Sequence, residues 1–351
     1  MKKQVAGAVL AGALLRVAVL AGAGDAVADW VRDLDAEGRA VTATLNIELA
    51  PRETPANDEA PMPAAEPEPE PELLLVAVTP PPTEPPQEAA PEPEPEPEPV
   101  LLPADLSCDD MMNNRTGFAV DPAELLTAGP TLRLAQDGPQ VLIIHTHSSE
   151  AYTPDELDRY EASDPYRTED KAYSVIRVGD ALTEALEGCG LTVLHDREIY
   201  DYPSYTGSYN RSGAAVERIL AEQPTIRVVI DLHRDALGSG GVVYKTRAEL
   251  EGRSSAQVMM VVGTGENGLS HPNWRGNLSL ALYLQRAVES RYPTLTRPIE
   301  LVPERYNQHL APGMLILEVG SNGNTLREAI TAAELFGETA GPALAALIAD
   351  D

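Results

Sequence analysis

Short apolar runs alternate with amphipathic segments from residue 141 onwards. Five of the runs have the length and composition typical of buried strands, namely VLII (141–144), LTVLHD (191–196), IRVVIDLH (226–233), QVMMVVG (257–263) and MLILEVG (314–320). Four further segments are predicted helices, at 174–190, 214–224, 277–290 and 325–347. This alternation predicts an α/β fold with a mainly parallel (mixed) central sheet flanked by helices.

Three of the predicted strands end in residues that can bind a metal ion or transfer a proton. VLII runs into a His-Thr-His motif at 145–147, IRVVIDL runs into His233, and Glu318 lies in MLILEVG. In α/β sheets of this type the functional residues gather beyond the carboxyl ends of the strands. We therefore expect these side chains to meet in one site.

The residue types at these strand ends favour a zinc site. Catalytic zinc uses three protein ligands, often His and Glu, and keeps a fourth position open. His147, Glu150 and His233 can supply that set, with His147 and Glu150 in a His-x-x-Glu pair. His145 competes with His147 for the ligand role, and the sequence leaves both open.

The neighbouring charged residues suggest the remaining catalytic roles. Glu318 is placed to accept the proton of an attacking water and pass it to the leaving nitrogen. Arg234 could stabilise an oxyanion or bind a substrate carboxylate. Asp231 or Asp235 could orient a ligand histidine through its second ring nitrogen.

Two polar loops and one strand end are candidates for substrate contacts. The first loop, YDYPSYTGSYNRS at 200–212, is rich in tyrosine and hydroxyl groups, and the second, RYNQHLAPG at 305–313, leads into the Glu318 strand. The expected contact residues are Tyr205, Tyr209, Arg211, Asn307, Gln308 and Asn322. The other histidines, His195, His271 and His309, are expected in loops or on the surface.

The amino-terminal third has a different composition and predicts three further segments. Residues 1–30 place two lysines before an Ala/Val/Leu-rich stretch, which is typical of an uncleaved membrane anchor or of a signal peptide cut near Ala-Val-Ala at 26–28. Both the membrane anchor and the signal peptide predict that the protein is exported. Residues 31–50 form a short juxtamembrane segment, 51–104 a linker, and 105–351 the catalytic domain.

The linker composition favours the anchor over the signal peptide. Eighteen of the 31 prolines lie between residues 51 and 103, together with thirteen Asp or Glu residues and one Arg. Such a segment is predicted to be disordered and extended, because it can bury little apolar surface. A long tether is most useful when its far end is held at a membrane.

The charge and cysteine content restrict the remaining classes of function. The formal net charge of −29 argues against nucleic acid as a partner, because binding to a phosphate backbone requires a basic face. Cys108 and Cys189 are the two cysteines, and the sequence leaves open whether they form a disulfide.

Several long motifs give the chain a resemblance to a known family. These motifs are HTHSSEAY, RTEDKAYSVIRVGDAL, YDYPSYTGSYNRS, VVIDLHRDA, RYNQHL and LILEVGSNGNT. Their order and spacing over about residues 138–345 resemble the stage II sporulation protein P family. The resemblance implies a membrane-anchored peptidoglycan hydrolase that acts during forespore engulfment, with a fold similar to zinc-dependent N-acetylmuramoyl-L-alanine amidases.

The resemblance also implies an activity, a partner and a set of site residues. The activity is removal of stem peptides from glycan strands, with endopeptidase cleavage of cross-links as a second activity. The partner is a lytic transglycosylase of the stage II sporulation protein D type. The motif at 145–147, Glu150 and His233 would hold zinc, with Glu318 as catalytic glutamate and Glu169 as an alternative to Glu150.

Two other functions compete with this interpretation. One is a scaffold that binds peptidoglycan or a partner and has no catalytic activity. The presence of intact His147, His233 and Glu318 argues against this function. The other is a zinc carboxypeptidase, in which Arg234 would bind the terminal carboxylate. An amidase releases whole stem peptides, whereas a carboxypeptidase releases single amino acids.

Overall fold

The computed structural model describes residues 110–239 and 241–349, which lie within one compact unit, Ala89–Asp351. The predicted segments 1–30, 31–50 and 51–104 lie outside the described residues, as does Cys108, so its pairing with Cys189 stays untested. No helix within 110–239 or 241–349 combines the length and apolar character needed to cross a membrane.

The centre of the structure is a seven-stranded sheet with the order β1-β10-β9-β11-β4-β2-β3. Its strands are β1 (Met112–Asn114), β2 (Val141–Ile144), β3 (Val193–His195), β4 (Val228–Asp235), β9 (Val258–Gly263), β10 (Ile299–Val302) and β11 (Gly313–Ser321). Two small hairpins pair β5 (Gly238–Ser239) with β6 (Val242–Val243) and β7 (Ala248–Leu250) with β8 (Arg253–Ser255).

Five helices connect or cover these strands. They are α1 (Pro122–Ala128), α2 (Val175–Glu187), α3 (Ser208–Glu222), α4 (Trp274–Arg291) and α5 (Leu326–Ala345). At α1, α2 and α5 a side chain at the start of the helix accepts from free backbone N–H groups. Ser174 accepts from the N–H of Ile176 at α2, and Thr325 with Glu328 forms a reciprocal capping box at α5.

The sheet is parallel at every junction except one, which confirms the predicted mainly parallel (mixed) sheet. β11 is parallel to β4 but antiparallel to β9. The carboxyl end of β9 therefore lies at the opposite edge from those of β2, β4 and β11. The sequence did not predict β1 and β10, which have only three and four residues.

Alternating side chains of β2 pack into two apolar cores on opposite faces of the sheet. Val141 and Ile143 of β2 pack into the larger core with residues of α2, α4 and α5. Leu142 and Ile144 pack on the other face with residues of α3. Because β2 is fully buried on both faces, its residues read as a continuous apolar run.

Candidate metal centre

Three potential ligands meet where β2 and β4 end. Among the described residues, His147, Glu150 and His233 form a group whose ligand atoms all lie within 4.8 Å of one another. Glu150 Oε1 lies 3.6 Å from His147 Nδ1, and its Oε2 lies 3.4 Å from His233 Nδ1. The structure thus brings together the three predicted ligands, and the carboxylate lies between the two rings.

A tight turn after β2 presents His147 and Glu150. The N–H of Glu150 donates to the carbonyl of His147 over 3.0 Å. Asp201 braces the turn, since it accepts from Ser149 Oγ at 2.6 Å and from Arg167 Nη1 at 2.6 Å. Asp201 and Arg167 lie in separate loops, so no spacing pattern in the sequence predicted that they would stabilise this turn.

Glu150 is ionised despite being buried. Burial alone would raise the pKa of its carboxyl group, but interactions with His147 and His233 and the charge of Arg234 lower that pKa well below its usual range. The backbone N–H of Arg234 donates to Glu150 Oε2 over 3.2 Å. Glu150 is therefore held as a carboxylate, the form in which it can ligate a cation.

His233 lies between two carboxylates. Its Nε2 is 3.0 Å from Asp231 Oδ1, while its Nδ1 faces Glu150. Thr146 fixes Asp231 by donating from its N–H at 2.8 Å and from its Oγ1 at 2.7 Å. Burial lowers the pKa of His233, but Asp231 and Glu150 outweigh burial and raise it well above its usual value. The site therefore stabilises a positive charge between these groups.

Of the two aspartates considered for orienting a histidine, the structure brings Asp231 to the site. Asp235 instead accepts from Arg297 Nη1 at 2.8 Å. The contact between Asp231 and His233 leaves Nδ1 of the ring for the ligand cluster, an arrangement common among metal-binding histidines.

Glu318 lies beside the cluster. It is the register partner of His233 on the neighbouring parallel strand β11. Its Oε2 is buried without a hydrogen-bond partner. Burial raises the pKa of Glu318 to about 8, and the negative charge of Glu150 contributes in the same direction. A buried, unpaired carboxyl group next to a cation site can exchange protons with a reactant.

His145 does not point into the ligand cluster. Its Nδ1 lies 2.9 Å from the carbonyl oxygen of Leu232, and its Nε2 lies 2.8 Å from Nε2 of His195. Both ring nitrogens are thus engaged elsewhere, and this geometry favours His147 as the ligand. The expectation that His195 lies in a loop or on the surface was wrong, because its side chain is 1% exposed.

Arg234 contacts the ligand cluster, whereas Glu169 lies outside it. The guanidinium of Arg234 is buried and donates to the carbonyls of Ala151 and Tyr166, both at 3.0 Å. These bonds hold the loop around Glu150, and Arg234 Nη1 lies 3.7 Å from Glu150 Oε1. The predicted role of Arg234 towards an oxyanion or a substrate carboxylate stays a prediction. Glu169 is exposed and lies outside the ligand cluster, which favours Glu150 as the third ligand.

Tyrosines form one wall of the site, as the loop at 200–212 suggested. The Tyr205 ring stacks on His147 with centroids 4.6 Å apart, and it is 56% exposed. The Tyr209 ring meets the His147 ring edge-on at 5.4 Å. Tyr306, which was not predicted, packs 5.5 Å from Tyr209. Tyr205 therefore connects the ligand cluster to solvent.

The other four expected substrate contacts are occupied within the protein. Arg211 donates to the carbonyls of Tyr200, Ser204 and Thr206, and so clamps the tyrosine loop. Asn307 donates to Tyr209 O and Ser212 Oγ, Gln308 bonds the backbone of Val261 and Gly263, and Asn322 accepts from Leu237 N. These four side chains thus form hydrogen bonds within the protein, and their contacts with substrate stay a prediction.

Two sequence comparisons agree with the motifs. The family model described as stage II sporulation protein P matches residues 80–340. Stage II sporulation protein P of Bacillus subtilis (strain 168) is 31% identical over 224 residues, which cover 60% of this chain and 53% of that protein. The chain thus spans about half the length of the curated relative that it matches.

Solved structures with partial similarity include two amidases. An N-acetylmuramoyl-L-alanine amidase, AmiC2 of Nostoc punctiforme, has 9% identity and a TM-score of 0.35, over 60% of this chain and 97% of that one. An N-acetylmuramoyl-L-alanine amidase from Clostridium difficile 630 has 13% identity and a TM-score of 0.35, over the same shares. TM-scores of this size carry no weight for activity.

Proposed function

Because this chain belongs to the stage II sporulation protein P family, we propose that it is a zinc-dependent peptidoglycan hydrolase of sporulation. The proposed reaction is the amidase cleavage that removes stem peptides from glycan strands, with endopeptidase cleavage of cross-links as a second activity. The observation that carries this proposal is the cluster of His147, Glu150 and His233 beside the unpaired carboxyl group of Glu318.

The residues at the site fit a zinc ion. Two imidazoles and one carboxylate are the donor set of many catalytic zinc sites, and those sites keep a position open for reactants. The lowered pKa of Glu150, caused by His147, His233 and Arg234, supports this proposal, since it keeps a negative charge at the site. A bound zinc ion would supply Lewis acidity, which polarises an amide carbonyl and makes water a better nucleophile.

The surrounding side chains would then perform the proton transfers and the positioning. Glu318 accepts the proton of the attacking water at its buried carboxylate and delivers it to the leaving nitrogen. Asp231 holds the His233 ring in one orientation. Tyr205 is 56% exposed next to His147, where a sugar ring or a peptide can contact it.

We also propose where the protein works. The lysines before the apolar stretch at 1–30 and the Pro/Glu-rich linker at 51–104 support an exported enzyme held at the cell membrane and facing the cell wall. The site of action would be the space between mother cell and forespore during engulfment. The partner would be a lytic transglycosylase of the stage II sporulation protein D type, which would cleave the glycan strands after stem-peptide removal.

The test combines metal analysis with product analysis on the full-length chain. We expect close to one zinc ion per purified chain, and loss of that zinc in His233→Ala. With purified peptidoglycan, we expect free stem peptides and glycan strands without peptides.

Each other outcome points to a different function. Single amino acids as the sole product would indicate a carboxypeptidase. Binding to peptidoglycan without any release of product by the zinc-loaded protein would indicate a scaffold. Absence of bound zinc in the wild-type protein, even after incubation with zinc, would overturn the metal mechanism.

A further inference from the structure

The strand pairing leaves one backbone carbonyl of β4 without a strand partner. The pairing of β2 with β4 ends at Ile144 and Asp231. The N–H of Val228 donates towards β2, and backbone groups of a strand alternate in direction, so the carbonyl of Leu232 faces the same side. The chain has already turned away from β4 there, so β2 offers no backbone donor.

The side chain of His145 takes the place of that donor. Its Nδ1 lies 2.9 Å from the carbonyl oxygen of Leu232, and both groups are buried. Because a carbonyl oxygen can only accept a hydrogen bond, the proton of His145 lies on Nδ1. The imidazole thereby extends the hydrogen-bond ladder of the sheet by one step beyond the end of β2.

A second histidine holds His145 in this orientation. Nε2 of His145 lies 2.8 Å from Nε2 of His195, which is in register with Ile143 at the end of β3. With its proton on Nδ1, His145 accepts at Nε2, so His195 donates from Nε2. On the far side of the pair, His195 Nδ1 is buried without a hydrogen-bond partner.

Helix α2 is shaped to admit the histidine pair. A Cβ atom at Gly179 would lie 2.6 Å from His195 Nε2 and 2.7 Å from His145 Nε2. Any side chain at this position would therefore displace the rings. The contact between His145 and His195 thus depends on residues from three places: the end of β2, the end of β3 and helix α2. An isolated contact between two histidines would not need all three.

Leu232 lies between Asp231, which orients the His233 ring, and His233 itself. Its carbonyl belongs to the peptide group that leads into His233, so fixing this oxygen fixes the backbone from which the ring projects. We propose that His145, supported by His195, is a positioning residue that holds the Leu232–His233 peptide group in the geometry that metal binding requires. The proposal rests on the proposed function in one respect, namely that His147, Glu150 and His233 bind zinc.

The first experiment measures zinc affinity in the full-length chain by competition with a chromophoric chelator. Loss of a group that orients a metal ligand typically weakens metal affinity about 10–100-fold, and we expect a loss of this size in His145→Ala and a smaller one in His195→Ala. His145→Asn should recover most of the affinity, because its Nδ2 can donate to Leu232 O from the position of the lost Nδ1. Circular dichroism establishes that each variant is folded at the temperature used.

A pair of glycine variants tests the same point without removing a histidine. Gly179→Ala should weaken zinc binding by displacing the rings. Gly188→Ala, at the end of the same helix, is the matched control, because a Cβ there would meet its nearest atoms at 3.4 Å. We expect the control to bind zinc as the wild-type chain does.

A spectroscopic readout separates positioning from a general effect on stability. Proton-nitrogen correlation spectra of the histidine rings in the metal-free chain should show His145 with its proton on Nδ1. A proton on Nε2 of His145, or unchanged zinc affinity in both His145→Ala and Gly179→Ala, would overturn the proposal while leaving the zinc site intact. Absence of zinc binding by the wild-type chain would overturn the proposed function, and this inference with it.

Discussion

Glu318 and His233 are register partners on the neighbouring parallel strands β11 and β4. The pairing places the candidate proton acceptor beside a candidate metal ligand, and the two residues belong to strands far apart in the sequence. The proton transfer proposed for Glu318 and the metal binding proposed for His233 thus both depend on the pairing of β11 with β4. Substitutions should separate these two roles.

We expect Glu318→Gln to keep its zinc and to lose turnover by about 10²–10⁴-fold, the range typical of an acid–base group. The amide has the shape of the carboxyl group but cannot accept the proton. Zinc content and the initial rate of stem-peptide release are the measurements. Glu300→Gln is the matched control, because Glu300 is also buried on a strand but pairs with Arg115. Equal rates in Glu318→Gln and the control would contradict the assignment.

Asp231→Asn should weaken zinc binding by about 10–100-fold, since Asp231 holds the His233 ring from the side opposite to the metal. The comparison variant is Asp235→Asn on the same strand, whose carboxylate pairs with Arg297. Equilibrium zinc competition measures both variants. Similar affinities for the two would mean that the contact with Asp231 does not orient the ring.

Glu150→Gln and Glu169→Gln test which glutamate completes the ligand set. Glu150 is buried between the two histidines, whereas Glu169 is exposed outside the cluster. We expect zinc to be lost from the first variant and kept by the second, as measured by elemental analysis after dialysis. The reverse result would move the third ligand to the segment before α2.

Tyr205→Ala should raise KM for peptidoglycan fragments several-fold and change kcat less. Its ring is exposed and stacks on His147, and an aromatic contact of this kind contributes about 0.5–1.5 kcal/mol. Tyr202 is also exposed in the same loop, so Tyr202→Ala serves as the matched variant. If both variants kept the wild-type KM, the tyrosine wall would have no part in substrate binding.

A pH dependence of stability follows from His271. It is buried, its Nε2 accepts from Asn277, and burial lowers its pKa from 6.5 to about 4. Between these pH values the unfolded chain binds a proton that the folded chain does not. The contribution of His271 to stability is thus present above pH 6.5 and is lost as pH falls towards 4.

In His271→Gln this part of the pH dependence should disappear. Denaturant unfolding at a series of pH values gives the two curves, which should run parallel above pH 7 and diverge between about pH 6.5 and 4. The wild-type curve should fall more steeply in that window. Curves that stayed parallel throughout would show that His271 is protonated alike in both states.

The sequence predicted the strands and helices that have a regular pattern of apolar residues. Continuous apolar runs such as VLII identified buried strands, and the spacing of Val175, Val178 and Leu182 identified α2. The reversed direction of β9 had no local signal, because an apolar run is the same in either direction. β10 was missed because Glu300 interrupts the apolar run of its sequence, IELV.

The site was predictable where chemistry and strand ends coincide. His147, Glu150, His233 and Glu318 follow from that rule, and the structure brings these four together. The roles of the polar residues around them were not predictable. Asn307, for example, donates to the carbonyl of Tyr209 and to the hydroxyl of Ser212. The sequence alone could not distinguish these bonds from a contact with substrate.

Strand β4 lies between β2 and β11 in the sheet. This position determines at which stage of folding a metal ion could bind. The two histidines of the cluster lie at positions 147 and 233, and they meet only after β2 and β4 have paired. The short segment that carries His147 and Glu150 lacks the third ligand until then, in contrast to a zinc finger, where metal binding organises the fold. For the proposed zinc ion, uptake would thus follow the pairing of β2 with β4, and in the proposed exported protein it would draw on the metal available outside the cytoplasm.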